Sequence, residues 1–356
     1  MLEPEDLAKT SPCSSGSSSR VPTLSAKFLR TESTTSIADE IIDHIPPRRV
    51  SSLPVEVLDN IFQFLTQDKL VSLLPINKCL YAISARQLYH TISVHGAWQS
   101  IAFFRAALNN PTIPPLVRSL DIDISESYPL RSFYLILHKV LQRLPSLVSL
   151  FLDFPKYHSP LVWILHGCTF SLKKFTTSMH CALPLALFLD TQPNITHLTL
   201  RGFQNNNASM FPFTLDVNVP TEREPFKLKP TSLPNLTHFN AIHVGPSVIQ
   251  AVVKDRPVEV VSIPLFPSFS IDSLSALTYS SVPMRRLSII SFDPDAPNIL
   301  FQVLSDHFEY LEAIHVVFLM TDYTKVCYYT FIYFLNNLLI FFFVSAPQIG
   351  APRTFR

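Results

Sequence analysis

The sequence predicts a mixed α+β, α/β-repeat protein: a small N-terminal three-helix unit, then a strand-plus-helix solenoid on a parallel sheet. Three observations carry this. Helix-type apolar spacing is packed into a short stretch after Ser51, a pattern Φ-x-x-Φ-x-Φ (Φ apolar) recurs eight times from Val117 onward, and glycine is scarce. At roughly 150 residues per domain, 356 residues suggest about two domains.

Residues 1–48 read as a solvated leader. The Ser14-Ser15-Gly16-Ser17-Ser18-Ser19 and Ser33-Thr34-Thr35-Ser36 tracts hold too few large apolar groups to offset ordering entropy. Ile37, Ile41, Ile42 and Ile45 share one helical face, and Pro46-Pro47 would end that helix. With Glu3, Glu5, Asp6 and Lys9 and no apolar run, this start does not read as a secretory signal.

Residues 49–95 are helical in texture. Ser51-Ser52-Leu53-Pro54-Val55-Glu56 combines a serine near the cap, a proline near the first turn and an acid facing the dipole. Val57, Leu58, Ile61, Phe62 and Leu65 follow on one broad stripe. Asp68 is the expected cap of a second helix bearing Leu70, Leu73 and Leu74, and a third carries Leu80, Tyr81, Ile83, Leu88 and Tyr89. So small a core is weakly stable alone, which makes a docking partner physically reasonable.

These same residues, Leu53-Pro54-x-Glu56-Val57-Leu58-x-x-Ile61-Phe62-x-Phe64-Leu65, then Asn77-Lys78-x-Leu80-Tyr81 and Leu88-Tyr89, resemble an F-box, fungal members in particular. The Cys-x-x-Trp that many F-boxes place near the third helix is replaced by Asn77-Lys78-Cys79-Leu80-Tyr81, close after Pro75. The resemblance implies docking to a Skp-type adaptor and, through it, to a cullin–RING ubiquitin ligase. Leu53, Pro54, Val57, Leu58, Ile61, Phe62, Leu65, Leu70, Leu73 and Leu74 would be the adaptor-binding residues. An ordinary three-helix bundle is the plain alternative.

Residues 96–116 are expected to be a helical linker, and residues 117–325 carry the repeat. It starts at Val117, Leu147, Leu172, Ile195, Leu236, Val258, Met284 and Leu311. Of its 24 Φ positions 23 are apolar, Thr177 excepted. Of its 24 x positions 20 are polar, the exceptions being Val148, Phe151, Val260 and Ala313. Chance at this composition would give about 11 apolar residues in each set. Such alternation means short strands with one buried face. Helical candidates such as Phe133 to Leu144 and Asn298 to Phe308 lie between them, and Pro145, Pro193, Pro234, Pro257 and Pro283 sit just before strands. The gap between Ile195 and Leu236, with Asn205-Asn206-Asn207, Pro212, Pro220, Pro225 and Pro230, reads as an insertion. Period and strand resemble the leucine-rich-repeat-like region that often follows an F-box, without the Asn or Cys ladder of regular members. A βαβ enzyme fold is the rival, but its strands are usually apolar on both faces.

The polar positions would build a concave protein-binding face. Its candidate target-binding residues are Arg118, Asp121, Phe151, Lys174, His197, Thr199, Arg201, His238, Asn240, Arg285, Ser288 and His315. Mixed signs, and 28 Lys+Arg against 27 Asp+Glu overall, build no nucleic-acid stripe. The 6 glycines stand singly, which excludes a dinucleotide fingerprint, a P-loop and a nucleophile elbow. Five scattered cysteines suggest no disulfide framework and fit a reducing compartment, hence a cytoplasmic or nuclear protein. His166-Gly167-Cys168 and His180-Cys181 lack a zinc knuckle, so no metal, no cofactor and no catalytic residue is expected.

Residues 326–356 are anomalous, with no charge from Val326 to Pro352. Three accounts stay open. Translated intron would explain Val326-Cys327, Phe341-Phe342-Phe343 and Gln348; a buried terminal repeat and a membrane anchor are the others. An anchor needs about 20 apolar residues, and Asn336-Asn337 interrupts this one, so a membrane is not the expected partner. The reading as a whole is a non-catalytic receptor that presents an unidentified target protein to a ligase. The rival is an interaction scaffold outside any ligase.

Overall fold

The computed structural model describes residues 53–155, 161–202, 225–267, 269–293, 295–319 and 339–342. The Ser-rich leader with the helix expected over Ile37–Ile45, most of the insertion after β5 and most of the anomalous tail lie outside the described residues.

Three helices come first: α1 (Val55–Phe62), α2 (Gln67–Leu73) and α3 (Lys78–His90). Pro54 itself is the N-cap of α1, where a missing N–H costs nothing, and its carbonyl accepts from Val57 N at 3.1 Å and Leu58 N at 3.2 Å. Glu56 lies in the first turn as expected. Asp68 does not cap α2. The cap lies two residues earlier, at Thr66, whose carbonyl accepts from Leu70 N, and Asp68 supplies charge to the first turn instead. Asn77 caps α3 through a 2.8 Å bond from Leu80 N to its side-chain oxygen. Leu58, Phe62, Leu70, Leu80 and Ile83 form the small core, with Leu65, Leu73 and Leu88 against it.

A single ten-stranded sheet follows, its strands in sequence order and every neighbouring pair parallel. They are β1 (Thr91–His95), β2 (Ser119–Asp123), β3 (Ser149–Asp153), β4 (Lys174–Thr177), β5 (His197–Leu200), β6 (His238–Ala241), β7 (Val260–Leu265), β8 (Arg286–Ser291), β9 (Ala313–Phe318) and β10 (Leu339–Phe342). Between them run α4 (Gly96–Asn109), α5 (Arg131–Leu141), α6 (Leu183–Asp190), α7 (Pro246–Val253), α8 (Ser270–Leu277) and α9 (Ala296–His307), with a 3-10 turn at Val162–Leu165 joining β3 to β4. For parallel strands in unbroken sequence order, the usual right-handed crossover puts the connecting helices of the described residues on one face of the sheet. That order contains no switch point of the kind where doubly wound enzymes bind ligands.

The repeat pattern maps directly onto the sheet. Each of β2 to β9 begins two residues after its first Φ, and all 24 Φ side chains are at most 6% exposed. Thr177, the polar exception, is fully buried, and its hydroxyl accepts from Met179 N at 3.1 Å.

Two segments extend the expected pattern. The end of the expected three-helix domain is strand β1, and the expected linker is the crossover helix α4 with a 3-10 turn at Pro114–Leu116. Tyr89-x-x-Ile92-x-Val94 is a further copy of the repeat pattern, hidden because Tyr89 also continues the helical spacing. In the tail, Leu339–Phe342 lies in register beside Ala313–Val316. No helix of the described residues is long and apolar enough to cross a membrane.

Candidate interaction surfaces

The first surface is on the opening helices. α1 has two apolar stripes roughly 100° apart. Leu58, Phe62 and Leu65 turn inward. Leu53, Val57, Ile61 and Phe64, at spacing i, i+4, i+8, i+11, turn outward and are 44%, 42%, 45% and 88% exposed. Pro54 and Val55 are exposed beside them, and Val71 on α2, Ile76 between α2 and α3, and Tyr81 on α3 are exposed apolar side chains as well. Monomeric proteins rarely leave a large apolar surface open without a partner.

This divides the residues expected to bind an adaptor. Leu53, Pro54, Val57 and Ile61 are free to make contact. Leu58, Phe62 and Leu70 instead fill the core of the helical unit, where their burial holds α1 in place. Leu65, Leu73 and Leu74 are half-buried. Sequence reasoning passed over Phe64, Val71 and Ile76. An outward apolar residue beside a complete inward stripe was the available signal. Behind α1, Gln87 donates to Asp59 Oδ1 at 2.9 Å and Arg86 lies 3.8 Å from Asp59 Oδ2, which ties α3 to α1.

The second surface is the face of the sheet that, among the described residues, carries no helix. Its middle row runs in register through Ser93, Asp121, Phe151, Thr176, Thr199, Asn240, Ser262, Ser288 and His315. A second row contains Lys174, His197, His238 and Arg286. Arg201 follows β5 directly and pairs with Asp153 at 2.8 Å while its guanidinium lies 5.6 Å from the Phe151 ring centroid. Ten expected target-binding residues thus share this face: Asp121, Phe151, Lys174, His197, Thr199, Arg201, His238, Asn240, Ser288 and His315. Arg118 and Arg285 do not. Both precede their strands, so they lie along the entrance edge; Arg118 reaches Ser146 O at 3.3 Å, and Arg285 bridges Glu312 at 2.6 Å and Glu259 at 3.9 Å.

Electrostatics differ along the face. Burial raises the pKa of Asp121, against a lowering pull from His95. The hydroxyl of Ser125, donating to Asp123 Oδ1 at 2.7 Å, holds Asp123 below the usual carboxylate range. Near the middle, burial first, then His238 and Lys174, lowers the pKa of His197. Among the described residues, no three His, Cys, Asp or Glu side chains converge as metal ligands. Cys168 and Cys181 have thiol pKa values pushed up by burial to about 12, which leaves them poor nucleophiles near neutral pH.

Comparison with known proteins adds one family. Residues 50–127 match the model described as the COS11 F-box domain, a span that includes all three opening helices, β1, α4 and β2. No curated protein matches the chain.

Proposed function

From the premise that this chain is an F-box protein, its F-box domain lying at residues 50–127, we propose that it is the non-catalytic target-recognition subunit of a Skp–cullin–F-box ubiquitin ligase. F-box domains in general point to ubiquitin-ligase adaptor roles and bind Skp1-type partners. The observation that carries the reading is the outward apolar stripe of Leu53, Val57, Ile61 and Phe64, which suits a helix laid into an apolar groove of the adaptor. The leucine-rich-repeat-like sheet would then hold the target, and catalysis would be proximity supplied to the conjugating enzyme of the ligase.

The test is co-elution of the full-length chain with a Skp-type adaptor on a sizing column, beside a Val57→Asp/Ile61→Asp variant. Both side chains are exposed, so the variant keeps its fold while placing charge in the expected groove. Co-elution by the wild type and its loss in the variant support the reading. A folded wild-type chain that never co-elutes overturns it in favour of a scaffold acting outside any ligase.

A further inference from the structure

Trp98, Tyr128 and Leu130 are 81%, 75% and 78% exposed. They belong to the loops leaving the carboxyl ends of the adjacent strands β1 and β2, Trp98 on the first turn of α4 and the others just before α5. The two loops approach closely, since a Cβ on Gly96 would lie 3.9 Å from Ser127 Oγ. Carboxylates crowd the same corner: Asp121 and Asp123 on β2, Glu126 beyond it, and Asp153 on β3. Against these four stand, among the described residues, two permanent cations, Arg131 at the start of α5 and Arg201, the latter already held 2.8 Å from Asp153. His95 adds a distant contact, 3.9 Å from Asp123. Asp121 Oδ1 is enclosed and accepts no hydrogen bond, while its Oδ2 takes a long one, 3.4 Å, from Ser93.

We propose that this corner docks a basic segment of the target protein, with an Arg or Lys side chain between Asp121 and Asp123 and apolar neighbours on Trp98 and Tyr128. The inference rests on the receptor reading and specifies the chemistry of its target. Charge decides the occupant. An acidic segment would meet uncompensated carboxylates, and a purely apolar one would bury them unpaired, which is costly. A cation answers both the carboxylates and the exposed indole face. The molecule already contains one such arrangement, Arg201 between Asp153 and the Phe151 ring, and the incoming residue would repeat it one strand away.

Random 12-residue peptides displayed on phage, selected on the immobilised full-length chain, test this. The expected consensus has net positive charge with interspersed apolar residues. Its synthetic peptide shifts tryptophan emission to the blue, a signal absent in Trp98→Ala, where Trp163 remains. Its affinity falls at least about tenfold in Trp98→Ala and in Asp121→Asn/Asp123→Asn. A neutral or acidic consensus, no enrichment above background, or unchanged affinity in both variants overturns the proposal. Adaptor co-elution of the same variants separates the two readings. Kept while peptide affinity is lost, it shows that the corner fails selectively and supports the proposal. If wild type and variants bind peptide alike, the proposal falls whatever the adaptor does.

Discussion

His197 and His238 stack across the β5–β6 ladder, with ring centroids 4.1 Å apart and planes 13° from parallel. Each ring nitrogen Nδ1 lies 2.9 Å from the hydroxyl of the preceding threonine, Thr196 or Thr237, which fixes the orientation of the pair. Two protonated imidazoles at that separation, beside Lys174, would repel.

The stack therefore makes stability depend on pH. The pKa of His197 is lowered from 6.5 by burial first, then by His238 and Lys174. A depressed value means that the unfolded chain binds the proton more readily. This contribution is complete above pH 6.5 and is lost as pH falls from there through the folded value. Urea denaturation should give a lower midpoint at pH 5.5 than at pH 7.5, and His238→Gln should shrink the difference. A His197 titration midpoint at or above 6.5 by NMR would sink this account.

A second prediction concerns Arg256, which is 2% exposed. Its guanidinium donates to five carbonyls: Ser232 (2.7 Å), Ala251 (2.8 Å), Val252 (3.2 Å), Lys254 (2.9 Å) and Lys229 (2.9 Å). Three belong to the end of α7, where a cation complements the dipole, and two to the segment returning from the insertion. Arg256→Met leaves these acceptors orphaned and should cost about 3 kcal/mol or more of stability. Arg256→Lys should recover only part, because one ammonium has three donors for five acceptors. Chemical denaturation of the three proteins checks both outcomes.

The strands were readable because burial on one face imposes a period of two that no helix imitates: Leu120 and Ile122, or Leu287 and Ile289, declare their side of the sheet without any partner in view. The helical unit was less readable. Apolarity shows that Leu58 and Ile61 both avoid water, but whether the shelter is the chain itself or a partner depends on where α2 and α3 pack. Hence the sequence alone groups Leu58, Phe62 and Leu70 with the contact residues. The Trp98–Asp121 corner is hidden for a related reason: it joins the turn after β1 to carboxylates on β2, and only strand pairing brings them together.

Thiol reactivity gives a third prediction. Cys79 is exposed, whereas Cys168 is partly and Cys181 wholly shielded, both with pKa pushed up to about 12. Among these three, iodoacetamide at pH 7.5 should alkylate Cys79 alone, and the other two only after denaturant is added. Peptide mapping by mass spectrometry reads the order. Early modification of Cys181 would mean that the β4–α6 region opens in the native state.

The fourth prediction tests how the face is held in shape. Gly202 follows Arg201 and packs so tightly that a Cβ would fall 1.7 Å from Met179 O, a backbone atom that cannot swing away. Its carbonyl also accepts from Cys181 Sγ at 3.8 Å, joining the ends of β4 and β5. Gly202→Ala must therefore push the two connections apart and should cost about 2 kcal/mol. Because Arg201 is the adjacent residue, the displacement also pulls its guanidinium from Asp153, where Nη1 now lies 2.8 Å from Oδ2. Arg201→Gln would remove the same ion pair without moving the backbone. Denaturant midpoints should fall much further for Gly202→Ala than for Arg201→Gln, because the second loses only a partly exposed charge pair. Equal losses would show that the ion pair, rather than the close backbone approach, holds this part of the sheet.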